Sequence, residues 1–312
     1  MNKLKRWYNT NRRMIWIAVF TIILIIAVPH AIDNYLKKRK NQSSSNENIT
    51  TTYGNNNYAV VSDKTLSDET ANDNRRVIDS FIDHCNNGRI EEAYNLLTDV
   101  CKEKVFPTIY DFEGRYYNRI FNTKRLYEIS AWTTNEGYFT YKINFTDDIL
   151  ASGNANGSSI EEYYTVTTEN GQKKLNINGF IYNEEINKEN EIDELKVKVL
   201  SKDIYIEYEI YNIEVDPKIP NAILLDSLES VGTMYVTGSR GLKYNALNHE
   251  MVREELRVRG TRIVRVKFNK KHSNRDEIKA ITFNDIVLNY EEYISSQNKR
   301  EYNNRTKIEI EL

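Results

Sequence analysis

Residues Met14–Ile32, MIWIAVFTIILIIAVPHAI, form an apolar run without a single Asp, Glu, Lys or Arg. A helix of about 20 such residues crosses a hydrocarbon core about 30 Å thick. No polar face recurs within the run, as it would on the surface helix of a soluble protein. The chain is therefore expected to have one N-terminal transmembrane helix, with the rest folding on one side of a membrane. Trp16 near one end suits the interface. Lys3, Lys5, Arg6, Arg12 and Arg13 precede the run, and Lys37, Lys38, Arg39 and Lys40 follow it. By this narrow count residues 1–13 stay in the cytoplasm. The long, mostly soluble body behind a single span points the same way, to an extracellular body. A cleaved signal peptide needs small residues near the end of the run, where Pro29 and His30 stand, and no cysteine follows to take a lipid. The reading is an uncleaved single-pass anchor in the cell membrane.

A net charge of −2 over 312 residues gives no general attraction to nucleic acid, so none is expected as a partner. Cys85 and Cys101 are the only cysteines. Cys85 closes one predicted helix, and Cys101 follows the far end of the next. An antiparallel turn of that helix would hold the sulfurs more than about 7 Å apart. Two buried free thiols are expected.

Residues 33–70 read as a flexible stalk, its centre NQSSSNENITTTYGNNNYAVVS polar and nearly free of core residues. From Asp73 the spacing turns helical, with Val77, Ile78, Phe81, Ile82 and Cys85 on one stripe and Gly88 as a stop. Ile90, Ala93, Tyr94 and Leu97 mark a second helix. Thr108 and Asp111 form a loose capping box for a third, with Ile109, Phe112, Tyr116, Ile120 and Phe121 as its apolar side. The period then changes to two: Tyr127, Ile129 and Ala131, a turn at Asn135–Gly137, then Phe139, Tyr141, Ile143 and Phe145. Asn170-Gly171 is a hairpin signal between Thr167 and Leu175. Three helices followed by about four antiparallel strands predict an α+β cone, helices on one face of a curved sheet, over residues 71–187.

That element order resembles the nuclear transport factor 2-like fold. The stretch FIDHCNNGRIEEAYNLLTDVCKEKVFPTIYDF, with its short helix Glu91 to Leu97, is similar to the opening of such domains in extracytoplasmic bacterial proteins. Bitopic proteins of bacterial conjugation and type IV secretion machines share the layout: a short cytoplasmic N-terminus, one span and an extracytoplasmic domain of this kind. The resemblance implies an assembly role and protein partners or self-association.

Asn187 to Glu194 reads as a charged linker. Beyond it the pattern is β throughout: Leu195, Val197 and Val199; then Ile204, Ile206, Tyr208 and Ile210 as one strand; a break at Asp216 to Pro220; and Thr233–Val236, Ile263–Phe268 and Ile281–Leu288. An all-β sandwich over residues 195–293 is expected. The stretches IYIEYEIYNIEV and TFNDIVLNY are similar to immunoglobulin-like modules of bacterial surface proteins, although the Cys–Trp–Cys framework of antibody domains is missing. Asn248–Val258 suits a turn or two of helix. Residues 294–312 read as a polar tail in which Ile308 and Ile310 have the spacing of an edge strand.

No catalytic, metal or cofactor motif stands out. Asp83, His84 and Cys85 are adjacent, so on a helix they point about 100° apart and do not form a Cys–His pair. His30, His84, His249 and His272 lack metal-ligand spacing. Gly238-Ser-Arg-Gly241 is a turn, not a phosphate loop. Arg253, Arg257, Arg259, Arg262, Arg265 and Lys267 form either a patch for an anionic polymer or lipid surface, or a solvated face balanced by Glu250, Glu254 and Glu255. Tyr94, Tyr116, Phe121, Trp132 and Tyr141 are the aromatics expected near any pocket between helices and sheet. The expected function is a non-enzymatic interaction or scaffold protein. The alternative is a surface module for a small ligand or cell-wall polymer.

Overall fold

A computed structural model of the chain describes residues 67–135, 137–147, 159–247 and 250–312. The span Met14–Ile32, the N-terminal residues before it and nearly all of the stalk lie outside the described residues. No helix among the described residues is long and apolar enough to cross a membrane. All of the described residues belong to one compact unit. It is β-rich, with three antiparallel sheets and few helices.

Helix α1 (Asp68–Asn86) begins five residues ahead of Asp73, where the helical spacing is expected to set in. Ser67 caps it by accepting the Thr70 N–H at 3.2 Å, and Asp68 and Glu69 sit at the positive end of the helix dipole. Gly88 leaves the helix at φ +69°, the left-handed turn that favours glycine. Short helices α2 (Ile90–Asn95) and α3 (Asp99–Lys104) follow. The sequence does not announce α3. Thr98 caps it through the Cys101 N–H at 2.9 Å, so Cys101 lies past the end of α2, as expected, but inside a helix of its own. Both thiols are free and buried, and burial pushes the Cys101 thiol up to about 12. The capping box at Thr108 and Asp111 forms as expected. It opens α4 (Ile109–Phe112), which runs through a π-helical turn (Glu113–Tyr117) into α5 (Asn118–Ile120).

The first sheet is β1 (Arg125–Asn135), β2 (Tyr138–Asp147), β3 (Ser159–Glu169) and β4 (Gln172–Asn176), paired in chain order. Asn170 and Gly171, both at positive φ, turn β3 into β4. One face carries Tyr141, Ile143, Phe145, Tyr164 and Val166 into a core shared with Phe81, Phe112 and Tyr116.

The expected linker at Asn187 to Glu194 is not a linker. Strand β5 (Phe180–Glu191) runs through most of it and hairpins directly into β6 (Leu195–Tyr205). Its charged side chains are exposed because β5 is an edge strand, and a solvated edge has a linker's composition. The run Ile204 to Ile210 is not one strand either. It bends at a hairpin tip, Ile206–Tyr208, into β7 (Glu209–Pro217). The second sheet is completed by β12 (Arg262–Phe268), in the order β12-β7-β6-β5.

The third sheet holds β8 (Ile223–Leu224), β9 (Met234–Gly238), β10 (Lys243–Asn245), β11 (Arg257–Val258) and β13 (Ile278–Val287). Residues 294–312 are only partly tail: β14 (Arg305–Glu311) pairs with β13, bringing Ile308 and Ile310 inside. Between the second and third sheets lies a second core that includes Val197, Val199, Ile213, Val236, Ile281 and Phe283. Two short helices border it, α6 (Arg253–Leu256) and α7 (Tyr290–Ser295).

The basic concentration on β12 and around α6 is largely neutralised. Arg253 pairs with Glu229 at 2.7 Å, Arg257 with Glu291 at 3.0 Å, Arg265 with Asp203 at 3.3 Å and Lys267 with Glu250 at 2.6 Å. Of the two readings, the balanced solvated face fits this pairing.

One buried acid is left half satisfied. Asp226 is fully buried; its Oδ1 accepts the Leu228 N–H at 2.7 Å, while its Oδ2 has no hydrogen-bond partner. Desolvation raises this carboxyl to about 6 against the opposing pull of the Thr233 side chain and the Leu228 N–H, and neighbouring Asp285, itself bonded to Ser227 and Arg305, adds to the rise. A carboxyl held above its unfolded value binds its proton more tightly in the folded state, so folding gains stability as pH falls through about 6. The expected result is that Asp226→Asn melts higher than wild type at pH 7.5 and that this advantage shrinks toward pH 5. Thermal melts across that range test it; a gap that does not change with pH would contradict the assignment.

Candidate ligand-binding groove

Where β4 ends, the remainder of β3 loses its neighbour, since β4 pairs only with Thr165–Glu169. The chain crosses that open edge through Asn178 and Gly179, at φ +58° and +72°. Gly179 N–H reaches the Tyr163 carbonyl at 3.3 Å, and the Gly179 carbonyl accepts the Ile206 N–H at 2.9 Å. The Ile206 carbonyl in turn accepts the His272 N–H at 2.9 Å. The tip between β6 and β7 is thereby fixed from both sides against the first sheet.

The result is an open groove of about 230 Å³. One wall is Glu161, Glu162 and Tyr163 of β3; the other is Tyr205 to Tyr208 of the tip, with Arg119 and Asn178 between them. Tyr205 and Tyr208 stack at 4.6 Å with 26° between their planes. The π turn explains how Arg119 arrives. By adding a residue to the helical ladder it lets both Tyr116 and Phe121, five apart, face the core, leaving Arg119 on the groove side. Arg119 Nη2 donates to Glu162 Oε1 at 2.7 Å and to Asn178 Oδ1 at 3.2 Å. Burial raises the Glu162 carboxyl, and Arg119 offsets part of that. Behind Glu162, the Tyr116 and Tyr164 hydroxyls share a hydrogen bond of 2.6 Å in the core.

Every carboxylate in the groove already has a cationic partner: Glu162 with Arg119, Glu161 with Lys142 and Glu207 with Lys271. The groove therefore presents polar groups at near-zero net charge. Its aromatic lining continues outward. Tyr163 meets Trp132 at 5.4 Å, edge to face, and Lys142 lies over the Trp132 ring. Tyr138 and Tyr182 stack at 4.9 Å in the same outer cluster, above Ile181, Ile204 and Ile206. Two other depressions, about 380 Å³ and 410 Å³, have no aromatic wall.

Of the aromatics singled out from the sequence, four go to the helix-facing core. Tyr116, Phe121 and Tyr141 are buried there. Tyr94 packs on its margin and donates to the Phe106 carbonyl at 2.8 Å. They fill space and line none of these three depressions. Trp132 goes to the opposite face, as alternation along β1 requires of the residue next to Ala131, which faces the helix-side core. Arg119, Glu162, Asn178, Tyr205 and Tyr208 were not singled out by sequence. The one available signal was Asn178-Gly179, a turn dipeptide just before a strand. The tip Ile206-Glu207-Tyr208 has no Gly, Pro, Asn or Asp to mark it.

Cys85 is buried and its thiol raised far above the usual range, so it is a poor nucleophile, and His84 beside it is half-buried with an unpartnered Nδ1. Among the described residues no group of three or more His, Cys, Asp or Glu could hold a metal ion. Comparison with family models, with curated proteins and with solved structures finds no match.

Proposed function

We propose that this chain is a membrane-anchored extracytoplasmic interaction protein without catalytic activity, its body held outside the cell by Met14–Ile32. The reading includes the finer architecture, a nuclear transport factor 2-like cone followed by an immunoglobulin-like sandwich. Helices α1 to α5 covering one face of β1–β4, and two further sheets sharing a core, support it. The observation that carries the functional part is the filled interior. Phe81, Phe112, Tyr116, Phe145 and Tyr164 are each fully buried between helices and sheet, where an enzyme of this architecture would hold a substrate chamber. The recognition chemistry sits instead on an open outer groove, as on a binding module. By layout, the role this fits is a scaffold in a conjugation or secretion assembly.

The test is protease shaving of intact protoplasts, combined with a photocrosslinker at exposed position Glu207. The expected result is loss of the body with survival of a short anchored fragment, and a discrete crosslinked adduct. A body protected from protease, or released from membranes by carbonate, overturns the reading.

A further inference from the structure

We propose that the open edge of β1 pairs with β1 of a second copy of the chain, joining two first sheets into one antiparallel sheet across a two-fold axis at Ile129. The surface is separate from the groove, and the inference goes beyond the reading above. β1 ends the first sheet and has β2 on one side only. In an antiparallel ladder alternate residues turn both backbone groups toward the neighbour, and the residues between turn both away. Arg125 turns away: its N–H donates to Asn86 Oδ1 and its carbonyl accepts from Asn86 Nδ2, each at 2.9 Å. Tyr127, Ile129 and Ala131 share its parity, so their N–H and C=O groups also point outward. Among the described residues nothing bonds these groups. The stretch contains no Lys or Pro, the residues that commonly close an edge. Other edges are closed by backbone bonds: Leu96 and Thr98 hold Leu175 of β4, and Leu247 holds Lys267 of β12.

The open stretch selects its occupant. Asn86 fills the outward place at Arg125, and the bulge after Ala131 ends the ladder at the other side. What is left is a window of Tyr127, Ile129 and Ala131, symmetric about Ile129. A second β1 running antiparallel fits it residue for residue. Ile129 meets the partner's Ile129, Tyr127 meets the partner's Ala131, and every outward N–H and C=O of both copies finds a counterpart. A shift of the axis by one residue in either direction leaves an open residue against Arg125 or against the bulge. The shift toward Glu128 would also set two like charges face to face. With the axis at Ile129, exposed Glu128 lies across from the partner's exposed Ser130, whose hydroxyl can donate to it. On the helix side the large Tyr127 lies across from the small Ala131. Any strand could take the backbone bonds. The agreement of window, side-chain size and charge at one axis assigns a second copy.

The contact is narrow, so it is tested on the full chain in liposomes, where copies share one membrane and meet at high local concentration. Glu128→Cys and Ser130→Cys chains, mixed before reconstitution and mildly oxidised, are expected to give a disulfide-linked dimer of one with the other. Residues facing each other in this pairing have Cα atoms about 4.5 Å apart, within bridging distance. Each variant alone should give several-fold less, since neither position faces itself. Wild type should give none, because Cys85 and Cys101 are buried. Ser130→Lys, which sets an ammonium across from Glu128, should tighten pairing about fivefold, and Ser130→Glu should weaken it about fivefold, read by energy transfer between labelled copies. Both changes are at an exposed position, so the fold is left intact. No mixed dimer, equal yields from the single variants, or Ser130→Lys and Ser130→Glu acting in the same direction overturns the assignment. A photocrosslinker at Ser130 that is captured in cells by a different protein and never by a second copy gives the edge to a foreign strand and overturns it too. The edge is open on whichever side of the membrane the body lies, so failure of the shaving experiment leaves this inference standing.

Discussion

Gly238→Ala is expected to destabilise the second core by about 3 kcal/mol or more, with the urea midpoint falling accordingly. The reason is space. A Cβ built at Gly238 would lie 1.8 Å from Asp276 Oδ2 and 2.3 Å from its Cγ. Asp276 cannot move aside cheaply. Its carboxylate accepts the Ser239 hydroxyl at 3.0 Å, the Arg240 N–H at 3.2 Å and the Tyr244 hydroxyl at 3.0 Å. It is the hub that holds the turn between β9 and β10, and Asn274 braces it by donating to the Tyr244 hydroxyl at 2.7 Å. Swinging it out would leave these donors, and a nearly buried carboxylate, without partners. Asp276→Ala should be costly alone, yet Gly238→Ala added to it should be nearly free, because the clashing atoms are gone. Denaturant titrations of the four-member cycle check this. Strict additivity, or a single variant within about 0.5 kcal/mol of wild type, would contradict the geometry.

The same glycine shows how far the sequence reaches. Gly238-Ser-Arg-Gly241 reads correctly as a turn, and Gly241 at φ +75° is there for the usual reason. Gly238 is there for another, the approach of a side chain 38 residues downstream, which no local pattern carries. Where apolar side chains alternate against one neighbour, as in β2 and the first half of β6, or where a cap is written locally, as at Thr108, sequence and structure agree. Where composition reflects exposure and not conformation, they part. The charged half of β5 has a linker's composition because it is a solvated edge. The tip Ile206–Tyr208 keeps strand-like alternation because its apolar residues are buried against the first sheet, across the turn itself. The groove falls on these illegible stretches. Its walls come from α5, β3, the Asn178-Gly179 turn and the β6–β7 tip, which meet only through tertiary contacts. Among the five aromatics, the helical Tyr94, Tyr116 and Phe121 and the strand residue Tyr141 fall on the core side, while strand parity puts Trp132, next to inward-facing Ala131, on the other face.

The removal of Phe81 tests how the two cores are joined. Phe81→Ala is expected to cost about 3–5 kcal/mol, at the upper end of that range because the cavity it leaves has rigid walls. Its ring contacts Phe112 at 6.1 Å, Tyr116 at 6.4 Å and Tyr164 at 5.4 Å, and the latter two are tied by their shared hydroxyl bond. None of them can collapse into the space without breaking that bond or leaving its partners. The loss falls in the first core, whereas Gly238 belongs to the sheet that closes the second. If a linker separated two domains, each variant would shift a transition of its own. The strands say otherwise. Phe180 at the start of β5 and Tyr205 at the end of β6 lie in the first core, while Leu195, Val197 and Val199 of β6 lie in the second. The β5–β6 hairpin is continuous through both, so melting either core pulls on a strand of the other. The expected outcome is one cooperative transition in wild type and in both single variants. At about 2–4 °C per kcal/mol for a protein of this size, the shift for Phe81→Ala is on the order of 10 °C. The double variant should show the sum of the separate losses, since the two sites share no partner. Calorimetry on the full chain reads this directly. Two resolved transitions, with Phe81→Ala moving only one, would show that the hairpin does not couple the cores.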